Sequence, residues 1–212
     1  MRIIESEADI AEGLAYLAKA DRRLRKVIKA AGAVPLRRGP SGLTGLARIV
    51  VAQQLSVASA EAIWRRLAAA LPDMSAKAIL TASDETLRGT GLSGAKIRTL
   101  RAIAEAVAGG LDFDGLAALS GEEAHLRLTA IKGIGPWTAD IYLLFGLGHA
   151  DVFPAGDLAL RNAVAEALAR APPLPVAELE AMALKWSPWR GVAARLFWAY
   201  YRVQRQRAAL PV

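Results

Sequence analysis

The chain has 212 residues, 54% of them hydrophobic and 22% charged, which is enough to build one large domain or two small lobes around a buried core. Its 27 lysines and arginines against 20 aspartates and glutamates give a formal net charge of +7, a balance typical of nucleic-acid-binding proteins and also found in generically basic soluble ones. The sequence contains no cysteine, which excludes disulfides, thiol catalysis and a cysteine-ligated iron–sulfur cluster.

The hydrophobic pattern predicts an all-α fold. Alanine, leucine and arginine dominate the sequence, and no alternating run of strand-like length occurs. Helices are predicted near residues 7–19, 21–31, 42–53, 57–71, 75–80, 84–89, 94–109, 113–118, 121–131, 136–146, 157–170, 176–184 and 188–206. The glycine-containing and proline-containing breaks between them are too short to be flexible linkers.

The remaining composition bears on location and on metal binding. Residues 1–7 contain early acidic residues, and no apolar run in the chain is long enough to span a bilayer, so we expect neither a signal peptide nor a membrane span. The expected location is the cytoplasm, with nucleoid association if the source is bacterial. The two histidines, His125 and His149, are too few for a histidine-rich metal site and are expected on the surface or in loops.

A glycine-rich stretch at residues 89–96 has the appearance of a phosphate loop. Ala95, however, stands where the nucleotide-binding pattern needs a lysine. The stretch is therefore interpreted as a turn and a helix start, with Lys96 free to meet a DNA phosphate.

A second glycine-rich turn, Lys132-Gly133-Ile134-Gly135-Pro136, separates two amphipathic segments. Proline is favoured in the first turn of a helix, and the two glycines permit unusual backbone angles and a close approach of a ligand. Exposed N–H groups at the start of the second helix would suit a phosphate. An ordinary helix-turn-helix corner with a glycine cap is the alternative, and Lys132 together with the basic charge of the chain favours the phosphate site.

A lone carboxylate, Asp157, follows a loop that contains proline and glycine. Aspartate directly before Leu-Ala-Leu-Arg is a good N-cap for a helix, and this role is sufficient to explain the residue by itself. A catalytic role is the alternative.

Together these features resemble the alkylated-base branch (type II) of DNA-3-methyladenine glycosylases, within the helix-hairpin-helix glycosylase superfamily. The resemblance extends from about Asp21 to Arg202. Four segments carry it: IVVAQQLSV at 49–57, LSGAK at 92–96, KGIGPWTA at 132–139 and WSPWR at 186–190. It implies an all-α, two-lobed fold with the active cleft between the lobes, one lobe formed by residues 42–149 and the other by residues 1–41 plus 150–212.

The resemblance implies that Asp157 is the catalytic carboxylate. An N-alkylated purine is cationic and already a good leaving group, so one carboxylate that stabilises the oxocarbenium-like sugar and orients water is sufficient. Trp137 occupies the hairpin position at which strand-cutting relatives carry a Schiff-base lysine. We therefore expect a monofunctional enzyme that leaves an abasic site.

The same resemblance implies a base pocket lined by Trp137 and Trp189, because an indole ring stacks well on a cationic purine. Relatives often carry further aromatic residues at the positions of Ile141 and Leu158, so the range of substrates stays open. Trp198 is expected to be a core anchor, whereas the pattern does not decide between core and pocket for Trp186.

Residues of the hairpin and of the Gln53-Gln54 segment are the expected DNA contacts. Gln54 matches the position of the wedge that fills the space left by the flipped base, although a polar helix end with Ser56 capping the next helix is the alternative. The contacts implied by the resemblance are Gln53, Gln54, Ser56, Lys96, Lys132, Gly133, Gly135 and Thr138. A Na⁺ or K⁺ ion held by the backbone carbonyls of Thr129, Ile131 and Ile134 is also implied, and no cofactor is expected to be required.

The expected partner is double-stranded DNA that contains alkylated bases, bound by a monomer. Two other functions stay open: a non-catalytic helix-hairpin-helix module that binds the DNA backbone, and a glycosylase for a mismatched or deaminated base. A helical structural protein without a role on DNA would show no salt-dependent DNA binding.

Overall fold

The computed structural model describes residues 2–208, and the side chains of residues 2–206. The described residues form thirteen α-helices and no strand, and a single antiparallel bridge joins Ile3 to His149. The helices are α1 (Glu7–Ala20), α2 (Leu24–Ala31), α3 (Gly42–Ala52), α4 (Val57–Ala70), α5 (Ala76–Thr81), α6 (Asp84–Gly89), α7 (Gly94–Ala108), α8 (Phe113–Ala118), α9 (Gly121–Thr129), α10 (Pro136–Ile141), α11 (Leu158–Ala167), α12 (Val176–Ala183) and α13 (Arg190–Ala208). The predicted all-α fold is confirmed.

Serine N-caps fix the starts of many helices. In each case the serine hydroxyl accepts a hydrogen bond from the backbone N–H three residues later, which satisfies a donor that the helix itself leaves unpaired. The serines are Ser6, Ser56, Ser75, Ser83, Ser93 and Ser120. Because such caps are local, the predicted helix starts and the observed ones agree closely.

The predicted helix at residues 136–146 has a different form in the structure. α10 ends at Ile141, and Tyr142–Leu147 continues as a π-helix. In this wider turn the Tyr142 ring lies against Gly146, where a Cβ atom would be 2.8 Å from the ring. A spacing of apolar residues does not reveal one extra residue per turn, so the sequence pattern missed this change.

Residues 1–38 and 148–212 form one compact unit, called the terminal unit below. In this unit α13 packs against α1, α2 and α11. Trp186, in a short 3₁₀ segment after α12, is fully buried between Phe153 and Phe197, with ring centroids 5.3 and 5.2 Å away. Trp186 is therefore a core residue, whose replacement by alanine would cost roughly 3–5 kcal/mol of stability.

Residues 39–147 form the second compact unit, called the central unit below. α7 packs against α3 and α5, and α9 packs against α10 across the glycine turn. The core side chains of α3 and α7 are fully buried and include Leu46, Val50, Leu100 and Ile103. Among the helices of residues 2–208, none is long and apolar enough to cross a membrane.

The histidines correct one expectation. His149 is 1% exposed, and within the described part of the chain neither ring nitrogen has a hydrogen-bond partner. Burial, reinforced by the positive charge of Arg38, lowers the pKa of His149 to about 4. His125 is half-buried on α9, and its Nδ1 lies 2.9 Å from Oδ1 of Asp140. The surface-or-loop prediction is thus wrong for His149, whose backbone pairs with Ile3 in the interior.

Candidate functional site

The glycine turn between α9 and α10 requires glycine at one of its two positions. Gly133 has φ +92°, and a Cβ atom there would lie 2.2 Å from Oγ1 of Thr99. Gly135 is the N-cap of α10 with φ −87°, and a Cβ atom there would meet nothing within 4 Å. Gly135 therefore needs no unusual backbone angle, and its use is to leave the outer side of the turn open. Pro136 is the first residue of α10, as predicted.

The turn presents donors and positive charge together. Among the residues that the structure describes, the backbone N–H groups of Gly133 and Gly135 have no acceptor. A shallow cavity of about 190 Å³ beside Gly133 is lined by Lys132, Ala95, Arg98 and Thr99. Two cations next to backbone amides without an acceptor form a suitable site for a phosphate. The Thr99 hydroxyl only lines the cavity, because it already donates to the carbonyl oxygen of Ala95 over 3.1 Å.

Arg98 and Thr99 were not anticipated from the sequence. Together with Ala95 they are spaced i, i+3 and i+4 on α7, a spacing that places three residues on one helix face. Their approach to Gly133 joins segments more than thirty residues apart. The helical spacing was visible in the sequence, whereas the packing partner was not.

The Gln53-Gln54 segment lies at the carboxyl end of α3. The Gln53 side-chain amide donates to Oγ1 of Thr138 over 2.7 Å, and Thr138 is 3% exposed. The burial of Thr138 argues against a contact of its side chain with DNA, and its hydroxyl instead holds Gln53. Gln54 is exposed with φ +58°, a left-handed conformation that costs a non-glycine residue about 1–2 kcal/mol. Ser56 is exposed and caps α4.

Lys96 is not the free cation that the sequence suggested. Its Nζ donates to the carbonyl oxygens of Val51 and Gln53, over 2.7 and 3.0 Å. Partial burial lowers the pKa of Lys96. The ammonium group thus binds carbonyl oxygens at the end of α3 and is not available to a phosphate in this arrangement.

Asp157 is the N-cap of α11 and also has a tryptophan partner. Its Oδ1 accepts the backbone N–H of Leu160 over 2.8 Å and the indole Nε1–H of Trp198 over 3.2 Å. Trp198 is half-buried rather than a core anchor, which corrects the expectation for this residue. Two donors on one oxygen fix the orientation of the carboxylate, and this arrangement is compatible with both capping and catalysis.

The amino end of α13, the helix that carries Trp198, is fixed by a half-buried ion pair. Nε and Nη2 of Arg190 donate to the two carboxylate oxygens of Asp151, over 2.8 and 3.0 Å, and the Ser187 hydroxyl donates to the same carboxylate over 2.8 Å. Burial opposes ionisation of Asp151, but the hydrogen bonds from Arg190 and Ser187 outweigh it and hold its pKa below the ordinary value. This bidentate pair therefore holds the start of the helix from which Trp198 reaches Asp157.

The four expected pocket residues differ in exposure. Trp137 is 37% exposed on α10, Ile141 is half-buried, and Leu158, directly after Asp157, is 58% exposed. Trp189 is only 3% exposed and lies under the Arg2 guanidinium, whose Cζ is 4.2 Å from the ring centroid. The prediction that Trp189 offers its ring to a base is therefore wrong, because the side chain is covered within the terminal unit. Of the two tryptophans, Trp189 is thus the buried one and Trp198 the half-buried one, the reverse of the predicted burial.

Comparison with known proteins agrees with these features. Residues 47–188 match the family model described as HhH-GPD superfamily base excision DNA repair protein. The DNA-3-methyladenine glycosylase 1 of Schizosaccharomyces pombe is 38% identical over 162 residues, which cover 72% of this chain and 69% of that protein.

Solved structures give the same result. The S. pombe 3-methyladenine DNA glycosylase in complex with abasic DNA superposes with a TM-score of 0.78 at 29% identity, covering 90% of this chain and 95% of that one. A DNA-3-methyladenine glycosidase from Bacillus halodurans superposes with a TM-score of 0.83 at 30% identity, covering 97% and 95% of the two chains. The chain belongs to the HhH-GPD superfamily of base excision DNA repair proteins.

Proposed function

We propose that this protein is a monofunctional DNA glycosylase that hydrolyses the N-glycosidic bond of alkylated purines, foremost 3-methyladenine, in double-stranded DNA. The relatives named above are 3-methyladenine glycosylases, and one of them was solved on abasic DNA. The observation that carries the proposal in this chain is the Asp157 carboxylate, which two donors hold at the start of α11.

The reaction needs little beyond this carboxylate. When the glycosidic C–N bond breaks, its electron pair leaves with the cationic base, which becomes neutral, and positive charge develops on the sugar. The Asp157 carboxylate stabilises that charge and orients a water molecule toward the anomeric carbon. After water attacks, its proton passes to Asp157 or to solvent, and an abasic site remains. A general acid is not required, because the leaving group is already positively charged.

Strand cleavage is not part of the proposed activity. Trp137 stands at the hairpin position where a lyase would need an amine, and an indole forms no Schiff base. The neighbouring Lys132 is exposed and lines the cavity beside Gly133. In the proposal Lys132 neutralises a phosphate, and Trp137 offers its exposed ring to the extruded base.

DNA is held through its backbone in this proposal. The N–H groups of Gly133 and Gly135, with Lys132 and Arg98, would bind a phosphate without regard to sequence. Gln54, exposed at the end of α3, would fill the space left by the extruded base, and Ser56 lies beside it.

A Na⁺ or K⁺ ion at the hairpin belongs to the proposal. Carbonyl oxygens suit such hard cations, and the expected ligands are Thr129, Ile131 and Ile134. The Ile131 carbonyl accepts the Ile134 N–H over 3.0 Å and retains a second lone pair, which is compatible with its role as an ion ligand. The ion would stiffen the turn and reinforce phosphate binding. We further propose that the protein acts as a monomer in the cytoplasm.

The proposal is tested by the release of free 3-methyladenine and 7-methylguanine from methylated duplex DNA by the wild-type protein and by Asp157→Asn. Release by the wild type and not by the variant is expected, with DNA binding retained by both. Binding without release of either base would instead favour a backbone-binding module or a glycosylase for another lesion, and substrates with deaminated or mismatched bases would separate these two. Covalent trapping of the protein on DNA by borohydride would contradict the monofunctional assignment.

A further inference from the structure

At the carboxyl end of α3, local backbone hydrogen bonds of the described residues satisfy the carbonyls of Val50 and Ala52 but not that of Val51. The last carbonyl groups of a helix have no partner within the helix, and a basic residue in the last turn often compensates them. The last turn of α3 contains no basic residue. The missing cation comes instead from α7, where the Lys96 ammonium reaches the carbonyls of Val51 and Gln53.

Lys96 has an unusual environment for a lysine. Its side chain is partly withdrawn from water, and no carboxylate of the described residues forms an ion pair with it. Placing an ammonium group in such a position is unfavourable unless carbonyl dipoles compensate the charge. The two carbonyls of α3 do so, and the cation is itself favoured by the negative end of the helix dipole.

The contact with Gln53 fixes the residue directly before Gln54. The Gln53 carbonyl is held by Lys96, and the Gln53 side chain is held by Thr138 on α10. The chain then turns through the left-handed conformation of Gln54, which leaves that side chain exposed. Two anchors on one residue therefore restrict the direction in which Gln54 can point.

We propose that Lys96 is a positioning residue that holds the end of α3 so that Gln54 is presented to the DNA stack in one orientation. This inference rests on the proposed function, in which Gln54 fills the space left by the extruded base. Lys96 contacts neither the base nor the sugar in this scheme. It acts only through residues 51–54.

The test compares Lys96→Met with the wild type on two duplexes that each contain one 7-methylguanine. In the first duplex the lesion is opposite cytosine, and in the second it is opposite an abasic site, where no base pair has to be broken and no partner base is left alone. The single-turnover rate of base release is expected to fall about tenfold on the first duplex and less than about threefold on the second. Only in the first duplex must a base pair be broken before the lesion leaves the stack. An equal loss on both duplexes, or no loss on either, would overturn the positioning role.

Three further variants sharpen the comparison. Lys96→Arg, which can donate to both carbonyls, is expected to restore most of the rate. Lys77→Met removes an exposed lysine of α5 in the same unit and is expected to behave as wild type. Lys96→Gln retains N–H donors but loses the positive charge. Should Lys96→Met fail to fold, the expected intermediate loss of Lys96→Gln on the first duplex alone provides the same test.

A double-mutant cycle asks whether Lys96 acts through Gln54. If it does, Lys96→Met combined with Gln54→Ala is no slower on the first duplex than Gln54→Ala alone. If the rate of the double variant fell by the product of the two single fold-losses, the inference would be overturned. Absence of base release by the wild type from both duplexes, together with no release of 3-methyladenine from methylated DNA, is a different outcome, which would contradict the proposed function and remove the basis of the inference with it.

Discussion

Asp157 has two roles in the proposed scheme, helix capping and catalysis, and three substitutions separate them. Asp157→Asn keeps an oxygen that can accept the Leu160 N–H and the Trp198 indole N–H, so the cap survives, whereas the negative charge and the second acceptor oxygen are lost. Asparagine and aspartate are about equally good N-caps, and the lost charge–dipole interaction costs less than about 1 kcal/mol. Asp157→Ala also removes the acceptor, at about 1 kcal/mol more, or roughly 2–4 °C in melting temperature for a chain of this size.

The loss in catalysis should be much larger than the loss in stability. A carboxylate about 4 Å from a developing positive charge, at an effective dielectric constant near 20, contributes about 4 kcal/mol, or roughly a thousandfold in rate. Single-turnover base release and thermal melting are measured for both variants and for Asp112→Asn, a matched change at the aspartate N-cap of α8. We expect both Asp157 variants to be inactive, only Asp157→Ala to be clearly destabilised, and Asp112→Asn to retain activity. Activity of Asp157→Asn within a few-fold of wild type would refute the catalytic role.

Three further predictions concern other parts of the molecule. Trp198→Phe removes the indole donor to Asp157 and should lower the single-turnover rate by a factor of roughly 10 to 150, since hydrogen bonds to charged groups contribute about 1.5–3 kcal/mol. An unchanged rate would exclude a positioning role. Gly133→Val should weaken binding to damaged and undamaged DNA alike, because the valine side chain would displace Thr99 and strain a backbone with φ +92°. Binding is measured in a salt titration, and a selective loss on damaged DNA would argue against a phosphate site. His149 has a folded-state pKa of about 4, below its ordinary 6.5. The free energy of unfolding should therefore fall by about 2 kcal/mol between pH 7 and pH 5, because protonation of His149 then favours the unfolded chain. Urea unfolding of His149→Leu should show a weaker pH dependence in this range than the wild type.

The glycine turn shows how much of a site the local sequence can predict. Gly133 and Pro136 act within a few residues of their own position, and both were correctly predicted from the turn alone. The cavity beside Gly133 needs Arg98 and Thr99 from α7 as well, and no local pattern links these residues to the turn. The sequence thus predicted the glycine turn but only part of the lining of the cavity beside it.

The tryptophans show what the sequence cannot predict. The residue type alone does not reveal whether a tryptophan ring is exposed in a pocket or buried in the core, and the position after Pro188 suggested that Trp189 was exposed. Burial depends on what packs above the ring. Arg2 and α1 cover Trp189, whereas Trp198 remains half-exposed and reaches Asp157.

By itself the sequence determined what depends on neighbours along the chain: the helices and their serine caps, the left-handed glycine of the hairpin, the capping position of Asp157 and the absence of an amine at Trp137. Only the tertiary structure decided the contacts that join distant segments. Trp198 meets Asp157 across 41 residues, Lys96 holds Gln53 across 43, and Gln53 meets Thr138 across 85. A cap or a turn is selected by hydrogen bonds within a few residues, whereas these pairs form because helix packing brings their donor and acceptor atoms within 3.2 Å of each other.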